Sequence, residues 1–220
     1  MNIVYVNSIN IANTTFNNNK TIVNVNCNNR NWSNDSAVNA FAGCTNLQNV
    51  TGLTNTIADL SNTFYACTNL TTIPTIPDSV VTMNNTFEDC YNITTVSNIP
   101  TSVTNMRSTF DGCTNLTGDI YIESTDITNA SNCFNNTAAT KNVYIPFIYS
   151  NGEHTSSYNA FIAAGYDING TRNGVYLKSI TRTVLDISEF AYTSTGNDEI
   201  TLTNYTGNST NIVVPGLEVI

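Results

Sequence analysis

Apolar residues recur along the first two thirds of this chain with a period much longer than one helical turn or one strand supplies. Four segments align at once: Phe41-Ala-Gly-Cys44-Thr-Asn-Leu47, Phe64-Tyr-Ala-Cys67-Thr-Asn-Leu70, Phe87-Glu-Asp-Cys90-Tyr-Asn-Ile93 and Phe110-Asp-Gly-Cys113-Thr-Asn-Leu116. Phenylalanines and cysteines alike step by 23 residues. Val50, Ile73 and Val96 hold the next apolar position, and Leu53, Ile76 and Ile99 the one after. Ile57, Val80 and Val103, then Leu60, Met83 and Met106, complete the pattern. One such unit cannot bury its own apolar face, but stacked units can, laying Phe on Phe at the roughly 4.8 Å spacing of paired strands. The pattern therefore predicts a β-rich repeat solenoid of parallel coils. Phe41, Phe64, Phe87 and Phe110 form its inner column, with a short helical turn at each F-x-x-C.

The copies wear at both ends. Phe16 leads to Ile22 and Val25, but Asn19 replaces the cysteine and Phe41 follows after 25 residues. Phe134 follows Phe110 by 24, with Cys133 displaced to the position before it, and Val143 and Ile145 carry the apolar positions. Five to six coils are expected, with atypical outer copies because the outermost faces meet water. Stacking also sets Asn46, Asn69, Asn92 and Asn115 in a column. Buried there, they would satisfy turn backbone and one another.

The pattern F-x-x-C-x-N-L-x-x-I-x-x-I-P-x-S-V-x-x-M resembles the BspA-like leucine-rich repeats. It is closest to the variety found in bacterial surface proteins and in phage tail or fibre proteins. Ile76-Pro77-Asp78-Ser79-Val80 and Ile99-Pro100-Thr101-Ser102-Val103 match the I-P-x-S-V segment, while Thr56-Ile57-Ala58 departs from it and has no proline. The resemblance runs from about Phe16 to Pro146. It implies a right-handed leucine-rich-repeat-like array, which is a scaffold for varied binding and fixes no single function.

Beyond the repeats, Asn142 to Pro146 reads as a last strand, Ser156 to Ala164 as a helix stopped by Gly165, and Gly174 to Ile180 as a further strand. This stretch resembles the capping segment that closes such arrays and covers their open strand edge. From Thr181 the pattern changes. Phe190-Ala-Tyr192 and Glu199 to Thr203 alternate apolar and polar residues across a Thr-Gly-Asn-Asp turn, and Tyr205 to Pro215 follows. That segment resembles the short β module that introduces fresh repeats in BspA-like proteins. Three regions result: residues 1–146 as the solenoid with its N-terminal cap, 147–180 as the C-terminal cap, and 181–220 as a small β module or linker. The module is expected to be the start of a further region of a longer polypeptide, or a borrowed adaptor.

Composition narrows the function. The 220 residues hold 7 Lys and Arg against 16 Asp and Glu, a net charge of -9. An acidic surface repels phosphate, so nucleic-acid binding is disfavoured. No apolar run reaches the roughly 20 residues of a membrane helix, so no membrane insertion is expected. Only 10% of residues are charged; 38 Asn and 35 Thr supply the polar bulk. Met1 to Ile11 lacks the basic start and long apolar stretch of a secretory signal.

Candidate chemistry is sparse. Three readings of Cys44, Cys67, Cys90 and Cys113 are open: buried free thiols, cross-links between coils, and a metal site. The last lacks C-x-x-C pairs, and one identical offset in four coils favours thiols filling one packing niche. Glu88 and Asp111 share an offset, with Asp89 beside them, which could hold a hard cation or remain a solvated edge. Tyr65, Glu88, Asp89, Tyr91 and Asp111 lie beside the Phe and Cys columns and form the expected binding edge, where tyrosine offers stacking area at low entropic cost. His154, the single histidine, sits in a turn-rich loop. No hydrolase elbow, zinc, P-loop or dinucleotide fingerprint occurs, and the N-x-S/T triplets follow from composition. No enzyme and no cofactor are expected. The expectation is a phage virion component of tail, fibre or head surface, a homo-oligomer meeting other virion proteins or a host-surface glycan or protein. The alternative is a bacterial cell-surface adhesin of the BspA type.

Overall fold

The computed structural model of the chain describes residues 3–5, 15–28, 32, 35–138, 140–147, 153–180, 190–194 and 200–205. The chain divides into two compact units, Met1–Ile180 and Thr181–Ile220.

In the first unit each repeat copy forms one coil, and successive coils stack in parallel. On one side, β1 (Ile3–Tyr5), β2 (Asn24–Asn26) and β3 (Asn49–Thr51) form a parallel sheet in that order, with Val25 facing Val50. Toward the other end, β4 (Ile120–Tyr121), β5 (Lys141–Ile145) and β6 (Val175–Ser179) form a second parallel sheet. Between them the coils meet through single parallel bridges, one column running Ser36, Asp59, Thr82, Asn105, Asn129. The repeat architecture is thus β-rich, with small parallel sheets and one α-helix, α1 (Ser156–Ala163), among the described residues.

The F-x-x-C segments are not the helical turns that their sequence suggests. Around Phe64, the amides of Leu60, Asn62, Phe64 and Ala66 donate to carbonyls of Thr82, Asn84, Thr86 and Glu88 in the next coil, at 2.8–3.0 Å. The alternate amides of Thr63, Tyr65 and Cys67 donate to residues three back in their own coil, at 3.0–3.1 Å. The same alternation recurs at Phe41, Phe87 and Phe110. Asn62 and Ala66 adopt left-handed backbone, with φ of 53° and 55°. A helix would spend every amide within the coil; here every second one links coils. The switch of hand needs residues that tolerate positive φ, and Asn holds the first left-handed position in four coils: Asn39, Asn62, Asn85 and Asn132.

The core follows from this path. Phe16, Phe41, Phe64, Phe87, Phe110 and Phe134 stack at centroid separations of 5.3–5.6 Å and within 6° of parallel. All but Phe16 are fully buried. Trp32 meets Phe41 edge-on. A buried threonine column runs beside the rings: Thr63, Thr86 and Thr109 donate Oγ1 hydrogen bonds of 2.8–2.9 Å to Ala37, Leu60 and Met83 of the preceding coils.

The end of the stack is capped. Phe161 of α1 packs on Phe134 at 6.3 Å, and Tyr166 meets the same ring edge-on at 5.9 Å. Where the other coils use a carbonyl of the next coil, the Phe134 amide donates to the Tyr166 hydroxyl at 2.8 Å. Thr155 caps α1 by accepting from the Tyr158 amide. Ser157 then bonds the Ser124 carbonyl and accepts from the Ile127 amide. Gly165, at φ 84°, turns the chain out of the helix.

In the second unit, β7 (Phe190–Ser194) and β8 (Ile200–Tyr205) pair antiparallel, with a register shift between Ala191 and Tyr192. The Thr-Gly-Asn-Asp turn and the segment from Thr206 to Pro215 lie outside the described residues.

Candidate functional site: an acidic tyrosine edge

The inter-coil hydrogen bonds set the direction of the side chains beside each Phe. The carbonyls of Tyr65, Glu88 and Asp111 accept from Gly43, Ala66 and Asp89 of the preceding coil, at 2.6–2.8 Å. With their backbones tied along the stack, these residues present side chains away from the Phe column. Tyr65 is 38% exposed and Tyr91 43%, while Glu88, Asp89 and Asp111 are half-buried.

The five form one electrostatic neighbourhood. Burial pushes the Glu88 carboxyl up, helped by Asp111 and Asp89 and opposed by Arg107. The Asp89 charge beside Tyr91 holds its phenol above the usual range. Asn135 and Asn136 donate to the Asp111 carboxylate at 3.1–3.4 Å. Gly112 makes room for Asp89: a Cβ there would lie 2.5 Å from the carboxylate. Among the described residues no group of three His, Cys, Asp or Glu side chains is placed to hold a metal ion. The edge offers hydrogen-bond acceptors and two phenol rings.

The cysteines have a more definite place than an apolar filler. All six are buried and none is in a disulfide. Cys44, Cys67, Cys90 and Cys113 each donate Sγ–H to the carbonyl of the preceding coil's phenylalanine, at 2.9–3.1 Å. The thiol fits here because it is small, apolar in bulk and still a donor. Burial raises Cys44 to about 11 and pushes Cys67, Cys90, Cys113 and Cys133 well above the ordinary thiol range.

The asparagine column is at the surface and not in the core. Asn46, Asn69, Asn92 and Asn115 are all exposed. Asn92 donates to the Thr68 carbonyl at 2.9 Å and Asn115 to Asn92 at 3.4 Å, so part of the expected bonding persists in water. The buried polar column is the threonine one, because a short β-branched hydroxyl fits beside the rings where an amide does not. His154 is exposed and stacks on Tyr158 at 4.2 Å.

Two further features escaped the sequence reading. A groove of about 560 Å³ opens beside β3, which ends its sheet among the described residues, between Asn49–Asn55 and Ile73–Asp78. Tyr121 and Tyr144 stack on the outer face of β4 and β5, at 4.6 Å and 6°. Their separation of 23 residues was the available signal. No described helix is long and apolar enough to cross a membrane.

Comparison with known proteins is consistent with this geometry. Searches of curated proteins and of solved structures gave no match. The family description "BspA type leucine rich repeat region", with six copies, matches over residues 2–105 and 37–161, well over half of the chain. With 23-residue copies stacked coil on coil, the chain belongs to the BspA-type leucine-rich repeat family.

Proposed function

We propose that this chain is a non-enzymatic structural protein of a phage particle, in the tail, fibre or head surface. It presents a right-handed repeat scaffold for host attachment or for contacts with other virion proteins. The observation that carries the reading is the division of labour in each coil. Phe, Cys and Thr side chains and alternate backbone groups hold the stack, so Tyr65, Glu88, Asp89, Tyr91 and Asp111 are free to be selected for contact. A scaffold whose stability does not depend on its edge can vary that edge. Repeat families of this type serve protein interaction and adhesion, and the match supports that much. Homo-oligomerisation would turn weak edge contacts into firm attachment. A cell-surface adhesin is the second reading, favoured equally by the family match.

The test is adsorption of purified protein to host cells, with Tyr65→Ala and Tyr91→Ala together. Loss of adsorption by about tenfold is expected, the order of two lost aromatic contacts. Absence of adsorption by the intact protein, with localisation to an internal joint of the particle, overturns the attachment role. Localisation to a bacterial envelope with no particle association decides for the adhesin.

A further inference from the structure

We infer that the outward face around Tyr121 and Tyr144 is a glycan-binding site for a neutral, hydroxyl-rich sugar chain. The site lies on the strand side of the coils and does not depend on the Tyr65–Tyr91 edge or on a virion location.

The sheet of β4, β5 and β6 buries Ile120, Val143, Ile145, Val175 and Leu177, so the alternate residues face out. In the sheet of β2 and β3 the corresponding outward residues are Asn24, Asn26, Asn49 and Thr51. Here they include Tyr121 and Tyr144, whose rings are parallel at 4.6 Å. Tyr121 is 42% exposed. Its ring is backed by Tyr144 on one side. Toward the preceding coil its register neighbour is Asn98, set by the pairing of Ile99 with Ile122. Asn98 is short and exposed, and its amide is turned to Glu123 Oε1 at 3.1 Å. Tyr121 therefore meets a ring on its Tyr144 side and only a short, exposed side chain on its Asn98 side.

Polar groups flank that ring in a matched arrangement. Asp119, Tyr121 and Glu123 alternate along one stretch of chain, on the same face. Each carboxylate is oriented by an amide: Asn142 Nδ2 donates to Asp119 Oδ1 at 3.0 Å, and Asn98 Nδ2 to Glu123 Oε1. Burial and the nearby Asp119 charge hold the Tyr144 phenol above its usual range. The unused carboxylate and amide oxygens are acceptors fixed on both sides of an aromatic face. A pyranose ring fits this chemistry, with C–H groups on the aromatic face and hydroxyl donors reaching the flanking acceptors. The two carboxylates repel phosphate, sulfate and uronic acids, which leaves neutral sugars.

The test is affinity electrophoresis of the full chain in native gels containing dextran, hydroxyethylcellulose, galactomannan or yeast mannan, with polygalacturonate as the anionic polymer. At least one neutral polymer is expected to retard the protein, and polygalacturonate is not. Tyr121→Ala should weaken that retardation by about tenfold, while Val81→Ala, at an exposed position outside both tyrosine surfaces, leaves it unchanged. Should Tyr121→Ala lose its fold by far-UV circular dichroism, Asp119→Ala and Glu123→Ala, which keep both rings, are each expected to weaken it several-fold. Retardation by none of the neutral polymers, retardation by polygalacturonate instead, or equal retardation of the folded variants and the parent overturns the assignment.

Discussion

Replacing Phe87 by alanine removes a fully buried ring from the middle of the aromatic column. The ring is stacked on Phe64 at 5.3 Å and on Phe110 at 5.6 Å, so two parallel contacts are lost together. A Phe→Ala change in a packed core costs about 3–5 kcal/mol, the spread reflecting how far the surroundings collapse into the space. Collapse is restricted here. The amides of Phe64 and Phe87 bond Thr86 and Thr109 of the following coils at 3.0 and 2.9 Å, which fixes the distance between rungs. The upper part of the range, about 4–5 kcal/mol, is therefore expected. Phe16 stacks on Phe41 and remains half-buried, so Phe16→Ala should cost about half as much. Urea unfolding followed by far-UV circular dichroism measures both. The fluorescence of Trp32, the single tryptophan, packed on Phe41, reports whether loss at Phe87 spreads along the array. A cost at Phe87 below about 1 kcal/mol, or equal to that at Phe16, would refute column packing as the source of stability.

Thiol titration of the denatured, unreduced protein should recover six free cysteines; two or fewer would mean that coils are cross-linked. Because burial raises the folded pKa of Cys44, Cys67, Cys90, Cys113 and Cys133 above the ordinary 9.0, the native state holds protons that the unfolded state has released. Their stabilisation is complete below pH 9 and is lost as pH rises above it. Lys141, pushed by burial down to about 8, acts in the opposite sense between 8 and 10.5, but it is one group against five. Urea midpoints should therefore fall steeply from pH 9 to 11, and a flat or rising profile contradicts the burial of the column. Tyr166→Phe removes the acceptor of the Phe134 amide while keeping the ring, and should cost about 1–3 kcal/mol with faster hydrogen exchange at Phe134; unchanged exchange would show that another group caps the stack.

The 23-residue spacing of Phe, Cys, Leu and Ile was enough to establish which residues are equivalent, and equivalence in a stacked array means contact between copies. Phe64 on Phe87 and Cys67 below Cys90 follow from spacing alone, since every coil must repeat the environment of its neighbours. Helix α1 and strand β6 were legible locally, the helix from its Gly165 stop. Spacing does not say which way an equivalent column faces. That depends on the backbone path within one coil, set by left-handed residues such as Asn62 and Ala66 and by amides that bond the next coil in preference to their own. The path turned Asn46, Asn69, Asn92 and Asn115 to water, put Thr63, Thr86 and Thr109 in the core, and replaced helical turns by linked reverse turns. It also aimed each thiol at a carbonyl one coil back and brought Asp119, Glu123, Asn98 and Asn142 around Tyr121. Those pairings join residues 23 to 26 positions apart, and only the rise and turn of the folded coil decides which of them meet.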